Sequence, residues 1–173
     1  FGLAKVNALD RIEQTVQRYR PLETQPGSTN RLYAAAVKAI DAAADVKLLK
    51  RVEADYTLRL GQMEKDESRR PLLVGIMGEF YVVLEPFSNF DVEAELGKLG
   101  VEVKRRTFIS EWTKFSFLNP FRVNEKDVVH RAAYPYLKRD IGGDGWESVG
   151  EKVLHASQYD GIIHLAPFTC MPE

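Results

Sequence analysis

The chain has 173 residues, with 24 Lys and Arg against 25 Asp and Glu, a net charge of −1 and 45% hydrophobic residues. That is the size and makeup of one globular domain, or of a domain with an appendage. Balanced charge excludes the basic footprint of a nucleic-acid binder, and the lack of a long apolar run or a secretory start argues against a membrane partner. A lone cysteine, Cys170, excludes an internal disulfide and fits a soluble protein of the reducing cytoplasm.

In chain order, Val6, Leu9, Ile12, Val16 and Tyr19 fall three or four apart, which predicts a packing helix stopped by Pro21. Residues 26–30 (Pro-Gly-Ser-Thr-Asn) read as a turn offering cap candidates for the segment that follows. From Leu32 to Met63 the apolar stripe continues at helical spacing, which predicts one long, kinked helix; a break near Asp41 to Asp45 is the alternative, since short polar residues compete for backbone groups. The charged stretch 64–70 reads as a solvated helix end and a linker. Residues 1–68 are therefore expected to form an N-terminal helical region, and 69–173 an α/β segment.

Pro71 opens the nearly all-apolar run 72–77, and continuous apolarity predicts a strand covered on both faces, as in a parallel sheet. Asp91 to Leu99 has acids in its first turn and Gly100 beyond its end, the signature of a short helix. Val101 to Arg105 alternates apolar and charged residues, as an edge strand does. Residues 107–145 are too long for one crossover and carry Phe108, Trp112, Phe115, Phe117, Phe121, Tyr134 and Tyr136, which predicts a helical insert placed as a lid over the sheet. Within it, helices are expected near Ile109 to Ser116 and Glu125 to Leu137, before a turn at 142–145. An amphipathic helix using Trp146, Val149, Val153 and Leu154 then leads to a third strand, with its apolar run at Ile162 to Leu165. The predicted fold is an α/β, Rossmann-like three-layer segment whose short parallel sheet has the order second, first, third. A sheet that stops on its third exit reads as cut short at the carboxyl end of the chain.

Ligands of open parallel sheets sit beyond the carboxyl ends of the strands. The first exit holds Gly78, Glu79 and Tyr81, a glycine allowing close backbone approach, a carboxylate and a phenol. The bland alternative is a turn with a solvated glutamate. The third exit holds Pro167, Thr169 and Cys170, whose thiolate can ligate metal or act as a nucleophile, although one cysteine lacks the spaced partners of a metal motif and a plain free thiol is the alternative. His164 inside the third strand reads as a core imidazole, and His130 and His155 as surface residues.

Several stretches together resemble a known family. These are Arg20-Pro21-Leu22-Glu23 with Pro26-Gly27, the run Val74 to Tyr81, Glu85-Pro86-Phe87-Ser88-Asn89, and Asp160 to Glu173. They look like the proteins related to 2-hydroxyacyl-CoA dehydratases and their activases, over most of the chain and most sharply at the two strand exits. The resemblance implies an iron–sulfur protein of anaerobic metabolism, in which an ATPase module drives electrons to a dehydratase or reductase. Carried onto this sequence, it implies that Cys170 is a ligand of a [4Fe-4S] cluster completed by cysteines elsewhere, and that Gly78, Glu79, Tyr81, Pro167 and Thr169 line a cofactor or substrate crevice. ATP would act through a domain outside this chain. The implied partners are the remaining domains of the same protein, an acyl-CoA substrate or an electron-transfer protein. A non-redox module binding a nucleotide or other small ligand, or a docking domain, is the alternative.

Overall fold

The structure, a computed structural model, describes residues 1–110, 123–139, 141–143 and 145–170. Trp112, Phe115, Phe117 and Phe121 lie outside the described residues, and with them most of the expected insert. Helices α1 (Gly2–Tyr19), α2 (Ser28–Ala42) and α3 (Val46–Gln62) precede strand β1 (Leu73–Gly78). A short helix α4 (Phe80–Leu84), then α5 (Val92–Lys98) and β2 (Glu102–Arg105), follow it. Helices α6 (Val123–Ala133) and α7 (Gly145–His155) lead to β3 (Gly161–Leu165). The fold is α/β, and its sheet has the order β2-β1-β3, as the apolar patterning predicts.

The chain divides into two compact units. One comprises 1–72 together with 93–104; the other comprises 73–92 together with the chain from Arg105 onward.

In the first unit, α1, α2 and α3 pack on one another around Ala8, Ile12, Val16, Ala36, Ile40, Ala43, Leu49 and Leu60. These positions are the inward stripes of the three helices, so burial of one face each supplies most of the helical stability. The expected single helix over 32–63 is two helices. α2 ends where Ala43 turns extended, and Asp45 opens α3 by accepting the N–H of Leu48 at 2.7 Å. The cap is a stronger stop than the alanine-rich stripe is a reason to continue.

The α2 cap also differs from expectation. None of the residues 26–30 caps the helix with its own side chain. Glu23 reaches over instead, accepting from Thr29 N at 2.8 Å, Gly27 N at 2.5 Å and Ser28 Oγ at 3.1 Å. The charged stretch 64–70 is held against the same loop: Lys65 bridges Glu23, Asp66 N donates to Leu22 O at 2.8 Å, and Arg69 Nη1 donates to Pro21 O at 3.0 Å. The stretch is mostly exposed, as expected of a solvated linker, and these bonds tie it to the loop. Arg20 is buried, donating Nε to Asn30 Oδ1 at 2.8 Å, with its stem laid where a side chain at Gly97 would otherwise be. Gln17 donates to Glu93 at 2.8 Å, so the start of α5 is fastened to the end of α1.

In the second unit, β1 pairs parallel to β3 in the register Val74 to Gly161 through Gly78 to Leu165. Gly75, Ile76 and Met77 are buried, as the apolar run predicts for the middle strand. β3 is half-buried along its whole length, which corrects the expectation of two covered faces. Position in the sheet order alone does not account for it, because β2 is also outermost and buries Val103 and Arg105. α7 packs against β1 and α6. Gly150 permits the helix approach, since a Cβ there would stand 2.1 Å from Val129 O.

Two outcomes are expected in the helical unit. Ile12→Ala removes a fully buried side chain and should cost about 3 kcal/mol in a denaturant titration. Burial opposes the ionised form of Glu23, but the N–H and hydroxyl donors of Thr29, Gly27 and Ser28 outweigh it and hold its carboxyl below the ordinary range. A depressed carboxyl stabilises the fold above its unfolded pKa. Glu23→Gln should therefore cost about 1 kcal/mol at pH 7, and the difference from wild type should shrink as pH falls below the ordinary glutamate range. A constant difference down to the acid transition would contradict the assignment.

Candidate functional site at the strand exits

The exits of β1 and β3 are joined by backbone contact. Gly78 has φ +142°, and a Cβ built on it would lie 1.8 Å from Leu165 O and 2.7 Å from Leu165 C. Only glycine fits such a position, through both its torsion and the space it leaves. The next N–H, that of Glu79, donates to the same Leu165 carbonyl at 2.8 Å. At the opposite end of the pair, Asp160 closes the ladder: its N–H donates to Leu73 O at 2.8 Å, and its carboxylate accepts Leu73 N at 2.8 Å. The β1–β3 pair is thus clamped at both ends. Its exits emerge side by side.

Each sequence-nominated residue has a definite place there. The close approach that Gly78 permits is to Leu165 rather than to open space. Glu79 opens α4, its carboxylate accepting Val82 N at 2.8 Å. Its role as a cap explains why the chain turns helical at once, and α4 itself is a helix that the apolar pattern does not announce. Tyr81, two residues on, is 61% exposed. Pro167 and Thr169 are exposed; Thr169 holds a left-handed φ of 67° and Cys170 N donates to Pro167 O at 3.1 Å, closing a tight turn. That turn carries Cys170 in a half-buried position. A non-glycine residue with positive φ next to the cysteine is a local strain of the kind that concentrates at working sites.

A second polar group, which the sequence reading missed, lies on α7. Glu151 accepts from Arg106 Nε at 3.3 Å and meets His155 Nε2 at 3.2 Å, while His155 Nδ1 is buried without a hydrogen-bond partner among the described residues. Tyr159 lays its ring over Gly75, where a Cβ would be 2.8 Å away, and its phenol is pushed up chiefly by burial, with Arg106 acting the other way and Glu151 adding to it. The i, i+4 spacing of Glu151 and His155 was a legible signal; the arrival of Arg106 was not. His155 and His130 are both half-buried beside glutamates, which corrects the surface reading. His130 meets Glu147 at 3.2 Å and packs edge-on to Trp146, with ring centroids 4.7 Å apart.

Among the described residues no group of three or more His, Cys, Asp or Glu is placed to hold a metal ion. No described helix is long and apolar enough to cross a membrane. No family model matches the chain, and neither does any curated protein or solved structure.

The clamp is testable by adding one methyl group. Gly78→Ala should destabilise the fold by about 3 kcal/mol or more, because the β1–β3 exits must separate to admit it. Gly100→Ala, at φ +80° with open space around it, should cost only about 1 kcal/mol. Comparable losses at the two positions would contradict the clamp.

Proposed function

We propose that this chain is part of an iron–sulfur protein related to the 2-hydroxyacyl-CoA dehydratases and their ATP-dependent activases, that it works in the cytoplasm, and that it contributes Cys170 as one cluster ligand. The observation carrying the reading is the joining of the two exits. Cys170 follows a strand whose last carbonyl is held by Gly78 and Glu79, so the thiol and the first exit belong to one edge of a parallel sheet, the edge where ligands of such sheets bind. A [4Fe-4S] cluster at this edge would supply one-electron transfer, its remaining ligands coming from elsewhere in the same protein or from a partner. The chain's own residues do the rest. The 167–170 turn carries Cys170 with a left-handed Thr169 beside it, and the exposed Tyr81 phenol would be available to a substrate such as an acyl-CoA. Glu79 serves by capping α4, which keeps Tyr81 in place.

The test uses the intact protein prepared without oxygen. Iron, acid-labile sulfide and visible absorption should all fall sharply in Cys170→Ala while circular dichroism stays that of the wild type. Full cluster content in a folded Cys170→Ala protein would overturn the reading, and would leave small-ligand binding at the same exits as the better description.

A further inference from the structure

The loop joining α4 to α5 exposes more apolar area than its length explains. Phe87 is 89% and Phe90 86% exposed. Each is a large aromatic side chain left almost wholly in solvent, and such a side chain can bury about 150–250 Å² when it anchors an interface.

The loop is nonetheless tightly built. Asn89 donates its side-chain amide to Val82 O at 2.9 Å and to Val83 O at 3.2 Å, Ser88 N and Asn89 N both donate to Glu85 O, Asp91 N donates to Pro86 O at 2.8 Å, and Phe87 N donates to the Glu85 carboxylate at 3.2 Å. Phe90 and Asp91 are both left-handed, with φ of 58° and 53°. Two successive non-glycine residues in that region cost free energy that a mere connection does not need. The effect is a hydrogen-bonded loop that leaves both phenyl rings in solvent, and an aromatic side chain, with only two torsions, loses little entropy on binding.

Charge identifies the occupant. Residues 73–92 contain Glu79, Glu85 and Asp91 and no lysine or arginine. An anionic lipid surface would be repelled by such a stretch, whereas a cationic protein surface would be steered to it. We propose that the 85–91 loop is a docking surface for a partner protein that presents an apolar pocket rimmed by lysine or arginine, with Phe87 and Phe90 as the anchors. The inference does not involve Cys170, so its failure would leave the cluster assignment standing.

The intact protein with a photo-reactive benzoylphenylalanine in place of Phe87 would be irradiated in its native cells. The same replacement at Leu58, 58% exposed on the other unit, serves as control. The expected result is one discrete protein adduct at position 87, mapped by mass spectrometry to apolar residues flanked by Lys or Arg. Its yield should fall roughly threefold or more in Glu85→Gln/Asp91→Asn and again on Phe90→Ala, with the thermal unfolding midpoint near that of wild type. Both acidic replacements keep hydrogen-bonding capacity and tolerance of the left-handed backbone. The proposal is overturned by a yield no higher than at Leu58, an adduct with lipid or only within the chain itself, a mapped site without basic residues, or a yield indifferent to the acidic replacements in folded protein.

Discussion

The contact between Gly78 and the Leu165 carbonyl is the constraint on which the rest of the second unit depends. A carbonyl oxygen lies 1.8 Å from where a Cβ would be, so the strands can run to their ends in register only with glycine at this position. Once Gly78 is seated, the N–H of Glu79 falls onto the same carbonyl and its carboxylate is left to start a helix. The direction of α4, and with it the exposure of Tyr81, follows from those bonds. On the other strand, the fixed end of β3 determines where the 167–170 turn begins. Asp160 performs the matching task at the opposite end, so the pair resists both slippage and fraying.

Much of this was legible in the residues themselves. Unbroken apolarity over 72–77 announces a covered middle strand, the alternation of 101–105 announces an edge, and acids before Leu96 with Gly100 beyond announce α5. Part of what was not legible depends on contacts distant in sequence. Nothing local brings Arg106 to Glu151, whereas the Glu23 cap on α2 is close in sequence and was masked by the nearer cap candidates at 28–30. The division between α2 and α3 was readable in principle, because Asp45 stands three residues before Leu48 in a cap relation, but a long alanine-rich stripe masks a cap placed inside it. α4 was hidden for a different reason. Five residues carry too little periodicity to register, and only the capping by Glu79 marks their start.

The stretches that stand out in the sequence divide by role. Arg20, Pro21 and Glu23 hold the first unit together: Arg20 reaches Asn30, Pro21 receives Arg69, and Glu23 caps α2. Glu85 and Asn89 frame the aromatic loop. Gly78 and Asp160 clamp the strand pair. Cys170 differs from all of these, since no fold contact of its thiol is needed to explain the turn that carries it. The aromatic loop spends backbone strain on exposure, which folding alone does not reward.

The central claim is that Cys170, at the edge where the exits of β1 and β3 meet, binds a cluster. Anomalous diffraction at the iron edge, from crystals of the intact protein grown without oxygen, tests it most directly. The expected result is an iron site bonded to Cys170 Sγ at the carboxyl end of the β1–β3 pair. A fully loaded cluster whose iron sites all lie away from Cys170 would contradict it.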